Sequence, residues 1–134
     1  MKLLNPRIHG YIDYVAVVGL ALAPTLFGFM GVPATICYVL AAVQLGMSLI
    51  TAYPVSVAKV IPFTVHGGIE LLTALFLLAA PWIFAFADVL AARNFFIAAG
   101  VGLFLVYLVT DYKAAGAESS AHFASQGRNV TSHV

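Results

Sequence analysis

The sequence predicts an all-α membrane protein whose four transmembrane helices form two tandem, like-oriented helical hairpins packed as a four-helix bundle. Three observations carry this. The 134 residues are 63% hydrophobic and 8% charged, with mean hydropathy +1.03, whereas a soluble domain carries roughly 25% charged residues. Crossing a bilayer takes about 20 mostly apolar residues, and four such stretches lie near 9–30, 33–53, 62–86 and 94–111. The third stretch also restates the first.

The first stretch follows Lys2 and Arg7, as a signal peptide would. Its apolar run is too long for one, it holds His9 and Asp13 in its first turns, and three more spans follow it. It therefore reads as a transmembrane helix. GVPA at 31–34 stops it and starts the second span through a Gly and then a Pro. YPVSVAKVIP at 53–62 is a short connector bracketed by prolines, and ADVLAARN at 87–94 separates the third and fourth spans with Asp88 and Arg93. Pro24 and Pro81 lie within helices one and three near their far ends, where matched bends are expected. Cys37, the single cysteine, has no internal disulfide partner and reads as a small hydrophobe of the second span.

Basic residues set the orientation. Lys2, Arg7, Lys59, Lys113 and Arg128 fall on the side of the termini and the middle connector, and Arg93 alone falls opposite. This predicts a protein of the cytoplasmic (inner) membrane with both termini in the cytoplasm. Residues 1–113 form one transmembrane domain, and the small, polar residues 114–134 are expected to be a flexible cytoplasmic tail. Asn129-Val130-Thr131 matches a glycosylation acceptor, which such a tail would not present to the enzyme.

The internal repeat changes how every polar residue is read. RIHGYIDYVAVVGLALAPTLFGF at 7–29 lies over TVHGGIELLTALFLLAAPWIFAF at 64–86 at a constant spacing of 57 residues, so His9 matches His66, Asp13 matches Glu70 and Pro24 matches Pro81. LITAY at 49–53 lies over LVTDY at 108–112. Repeat one spans 7–53 and repeat two 64–112. A tandem pair of two-helix units with Ala80-Pro81-Trp82 near the far end of the second copy resembles the SPW-repeat membrane proteins of bacteria and archaea. The first copy has Ala23-Pro24-Thr25 at that place. The resemblance implies a two-unit helical bundle and brings no reaction with it.

Copies of like direction are related by a pseudo-two-fold axis along the membrane normal. His9 and His66 then lie at similar depth, each with an acid, Asp13 or Glu70, one turn deeper on the same helix face. The returning helices bring Thr51 and Tyr53, and Thr110, Asp111 and Tyr112, to the same end. Gln44, Ser48 and Thr51 form a stripe leading there from mid-membrane, and Tyr107 and Asp111 share a face of helix four. Acids inside a span are costly and need partners.

Three readings compete for this cluster. In the structural one, each histidine pairs with its own i+4 acid, with Arg7, Lys59 or Lys113 helping from the interface, and the chain serves as an accessory subunit of a larger membrane complex. In the second, His9, Asp13, His66 and Glu70 hold a divalent metal ion, or the two histidines hold a haem. In the third, Tyr14, Gln44, Ser48, Thr51, Tyr53, Thr110, Asp111 and Tyr112 line a pocket for a quinone-like ligand or a proton-coupled path in an oligomer of small transporters. Tyr11 reads as part of an interfacial aromatic belt and Trp82 as an anchor at the opposite surface.

Gly10, Gly67 and Gly68 remove bulk beside the histidines, where backbones are expected to approach closely. Ala42-x-x-x-Gly46 and Ala98-x-x-x-Gly102 offer small-residue faces to join the halves or build a homo-oligomer. No phosphate loop, nucleophile elbow or His-Glu-x-x-His motif occurs, and a net charge of +1 offers no surface for nucleic acid.

Overall fold

The computed structural model describes residues 2–114, so all but the first residue of the expected 114–134 tail lies outside the described residues. The described residues form four helices, α1 Pro6–Phe27, α2 Val32–Ile50, α3 Phe63–Ile83 and α4 Leu90–Val109. All four are long and apolar enough to cross a membrane. Residues such as Val15, Leu22, Val39, Leu72, Leu75, Val101 and Leu105 point their side chains outward, as lipid-facing residues do.

The helix ends explain where the spans depart from those read in the sequence. α1 starts earlier because the Asn5 side chain accepts from the Ile8 N–H at 3.0 Å and Pro6 occupies the first turn. It stops at Gly28 (φ 67°), and the Phe29 N–H closes onto the Pro24 carbonyl at 3.1 Å. Repeat two ends its first helix the same way, with Phe86 N–H on Pro81 O at 2.9 Å. There Ala85 (φ 54°) stands where repeat one has Gly28. α2 ends at Ile50 because Thr51 leaves the helix in extended conformation to pair with Ile61. α4 begins four residues earlier than expected and takes Arg93 into its first turn.

Within each repeat the helices pack as a hairpin, α1 on α2 and α3 on α4, and α1 also packs on α4 across the repeats. What joins the halves is a pair of exchanged backbone contacts. Leu3 and Leu4 N–H groups donate to Val109 O at 2.8 and 3.0 Å, and Val60 and Ile61 N–H groups donate to Ile50 O at 2.8 and 2.9 Å. The lead-in of each repeat is thus tied to the exit of the other, forming the bridges Leu4–Thr110 and Ile61–Thr51. The small-residue faces play no part in this: Gly46 and Gly102 look into open space.

The core is divided along the membrane normal. The far half is apolar, with Ala23, Phe29, Cys37, Leu77, Ala80, Phe86 and Phe96 in one cluster, and Cys37 is there as an ordinary packing residue. The other half, where α1 and α3 begin, is filled by His9, Asp13, Ser48, Thr51, His66, Glu70 and Thr110, all buried.

Candidate functional site

Each histidine is positioned by the opposite repeat. His66 Nδ1 lies 2.8 Å from Thr51 Oγ1, and His9 Nδ1 lies 2.9 Å from Thr110 Oγ1. Both threonine hydroxyls already donate to carbonyls one turn back, to Met47 O and to Val106 O, at 2.6 Å each. A hydroxyl has one proton to give. At Nδ1 each threonine therefore accepts, both rings carry hydrogen on Nδ1, and in the neutral imidazole the lone pair sits on Nε2. This tautomer follows from the hydrogen-bond network.

Both Nε2 atoms face the axis. Neither has a hydrogen-bond partner among the described residues. His9 Nε2 lies 3.4 Å from Asp13 Oδ1 and 3.5 Å from Glu70 Oε2, and His66 Nε2 lies 3.3 Å from Asp13 Oδ2. One ligand atom each from His9, His66 and Glu70 fall within 4.8 Å of one another. The four residues are sealed from solvent, with His9 and His66 at 0%, Asp13 at 1% and Glu70 at 2% exposure.

The pairing is not the simple one of each histidine with its own acid. His9 meets Asp13 as i+4 spacing predicts, but among the described residues His66 and Glu70 form no such contact, and His66 turns to the acid of the other copy. Asp13 bridges both rings through its two oxygens. Nor do the basic residues at the interface reach in. Among the described residues neither acid pairs with Lys or Arg; Lys59 instead donates to the Tyr53 carbonyl at 3.1 Å.

The tyrosines hold the acids. Tyr53 donates to Asp13 Oδ2 at 3.2 Å and Tyr112 to Glu70 Oε2 at 2.5 Å. Each ring sits in the space a glycine leaves: a Cβ at Gly67 would lie 2.5 Å from Tyr112 Cε1, and one at Gly10 would fall on Tyr53 and Val55. The glycines beside the histidines thus admit aromatic rings rather than a neighbouring backbone, and Gly68 faces open space. Burial, and after it the adjacent carboxylate, holds the Tyr112 phenol well above the ordinary tyrosine range, and burial does the same for Tyr53.

The remaining residues singled out in the sequence lie at the margin of the cluster or below it. Tyr14 donates to the Val55 carbonyl at 3.1 Å and pins the connector. The Asp111 carboxylate accepts from the Lys113 and Ala114 backbone and closes the turn after α4. Gln44 Nε2 and Ser48 Oγ lie deeper and have no hydrogen-bond partner among the described residues.

The chemistry of the central four is that of two lone-pair nitrogens aimed at two carboxylates. Nitrogen and oxygen acceptors in contact repel unless a cation or protons lie between them. The 3.3–3.5 Å separations exceed the about 2.7–3.2 Å of a hydrogen bond. Each falls in the about 3.3–3.6 Å ligand-to-ligand edge of a tetrahedron whose bonds measure roughly 2.0–2.2 Å, with Asp13 turning Oδ1 to His9 and Oδ2 to His66. No protein-family model, curated protein or solved structure matches the chain.

Proposed function

We propose that the chain is a metal-binding membrane protein in which one divalent ion, of the zinc, iron or manganese class, is held by His9, His66, Asp13 and Glu70. The observation that carries this reading is the pair of buried Nε2 atoms, fixed as acceptors by Thr51 and Thr110 and turned toward carboxylates that, among the described residues, no lysine or arginine neutralises. A divalent cation with two neutral imidazoles and two carboxylates is electrically neutral, which a site at membrane depth favours. The donor set has no thiolate, which argues for borderline and hard ions over copper(I). Threonine and tyrosine contacts orient the ligands, as outer partners do in metal centres.

An ion suits the space better than a haem. Phe63 and Tyr112 ring centroids stand 5.1 and 5.7 Å from that of His9, and Tyr53 stands 6.0 Å from His66, so the chain's own rings occupy the flanks where a porphyrin would lie. Ligands from both repeats meet at this ion, so it would clasp the halves together and stabilise the fold. The likeness to the SPW-repeat proteins of bacteria and archaea belongs to the same proposal, with the metal as a property of this chain's residues.

The test is elemental analysis of the full chain purified without a chelating tag. We expect about one divalent ion per chain, lost in His9→Ala and in His66→Ala, and a rise in thermal midpoint when metal is restored to stripped protein. Metal-free protein whose midpoint ignores added zinc, iron and manganese, with ¹⁵N spectra showing both imidazoles doubly protonated, would replace the ion with a plain ion-pair cluster.

A further inference from the structure

Below the central four, the four helices line a partly open cavity of about 30 Å³. Its walls come from all four helices and include three repeat-related pairs: Ala16 with Thr73, Leu20 with Leu77, and Gln44 with Leu103. The pseudo-two-fold axis therefore passes through it. In two of these pairs the copies differ in polarity, and each time one copy supplies a polar side chain where the other supplies an apolar one.

The polar members keep hydrogen-bonding capacity that the protein does not use. Gln44 Nε2 has no hydrogen-bond partner among the described residues, and neither has Ser48 Oγ, one turn nearer the cluster on α2, nor Glu70 Oε1, one turn nearer on α3. Thr73 donates to Ile69 O at 2.9 Å, which leaves its oxygen free to accept. Of the five unpartnered buried side-chain atoms among the described residues, two are the imidazole nitrogens already described. The other three run from the cavity toward them. An unsatisfied buried polar atom is costly, and native structures resolve most such cases with ordered water. A cavity needs roughly 10–15 Å³ to hold a water, together with 2–4 polar partners. This one has both.

We propose that the cavity is a water-binding chamber on the repeat axis. A water there accepts from Gln44 and donates to Thr73, and Ser48 and Glu70 Oε1 carry the hydrogen-bonded file up to the His/carboxylate cluster. Side chains one helical turn apart are separated by about 5–6 Å, a gap one bridging water spans. The inference goes beyond the metal reading and does not rest on it. It gives the cluster a hydrated connection to mid-membrane through otherwise apolar packing.

Met47 lines the chamber and reports on it. In X-ray radiolysis of the full chain in detergent, hydroxyl radicals formed from internal water oxidise side chains beside that water. We expect Met47 sulfoxide in the wild-type protein at a rate that a bulk radical scavenger leaves largely unchanged, and a several-fold drop in Gln44→Leu and in Thr73→Ala, each of which copies the residue of the other repeat. Absence of Met47 oxidation in the wild type, its suppression by the scavenger, or equal rates in a folded variant would each overturn the proposal. Metal content read on the same samples keeps its failure separate from that of the metal reading.

Discussion

Two adjacent glycines offer a sharp test of how the acids are held. A Cβ at Gly67 would lie 2.5, 2.8 and 2.9 Å from Tyr112 Cε1, Cζ and Cδ1, whereas one at Gly68 meets nothing within 4 Å. Carbon atoms in contact sit about 3.5–4.0 Å apart, so in Gly67→Ala the ring must retreat by roughly 1 Å. That retreat stretches the phenol's bond to Glu70 Oε2, now 2.5 Å, toward the limit of a hydrogen bond. Overpacking of this kind costs about 1–3 kcal/mol. Losing a hydrogen bond to a carboxylate adds about 1.5–3 kcal/mol, and the gain in helix propensity returns at most about 1 kcal/mol. The net loss is about 1.5–5 kcal/mol, so thermal unfolding of Gly67→Ala in detergent is expected roughly 5 °C or more below the wild type. Gly68→Ala should unfold within a few degrees of wild type or above it. Equal midpoints for the two variants would refute the seating of Tyr112 on Gly67, and with it the proposed role of Tyr112 in orienting Glu70.

Further outcomes are expected elsewhere in the molecule. Thr51→Val and Thr110→Val each remove the acceptor for an Nδ1–H, and metal affinity measured by competition with a chelator should fall about 10–100-fold. Stripping the metal should lower the thermal midpoint of the wild type and leave that of the His9→Ala, His66→Ala double variant unchanged. Ala85→Gly should stabilise the chain by about 1 kcal/mol, read as a higher midpoint, because φ 54° places Ala85 in the left-handed region that Gly28 occupies in the first repeat. Tyr53 and Tyr112 ionise above the range of an exposed phenol because burial disfavours the tyrosinate. In an alkaline absorbance titration the tyrosinate signals lost in Tyr53→Phe and in Tyr112→Phe should be ones that appear only above the range of an exposed phenol. For an acid whose folded pKa is raised, the stabilisation is complete below the unfolded tyrosine pKa of about 10 and is lost as pH climbs above it. Midpoints should therefore decline on the alkaline side.

Much of the cluster was legible because duplication writes the same constraint twice. The match of His9-Gly10 and Asp13 to His66-Gly67 and Glu70 placed two imidazoles at one depth and two acids one turn below them, and the LITAY–LVTDY match brought Thr51, Tyr53, Thr110 and Tyr112 to the same end. Periodicity gives depth and face, but it says nothing about which copy a side chain turns to. The crossing of His66 to Asp13, and of each threonine to the histidine of the other repeat, was therefore invisible. Gly10 and Gly67 illustrate the same limit from another side. A missing side chain marks a close approach, but only packing shows that the visitor is a tyrosine ring.

The sequence by itself determined that the chain spans a membrane four times, in two copies of one hairpin, because hydrophobic length and a repeat are properties of the chain read along its axis. Tertiary structure alone decided how the copies engage. The exchange of lead-in segments, which ties Leu4 to Thr110 and Ile61 to Thr51, depends on backbone hydrogen bonds that carry no residue signature. The direction of each Nε2 depends on an Nδ1–H donated to a threonine 15 positions away in the chain for His66 and 101 positions away for His9. Linear pattern records how far a residue is buried; only the folded chain sets what it is buried against.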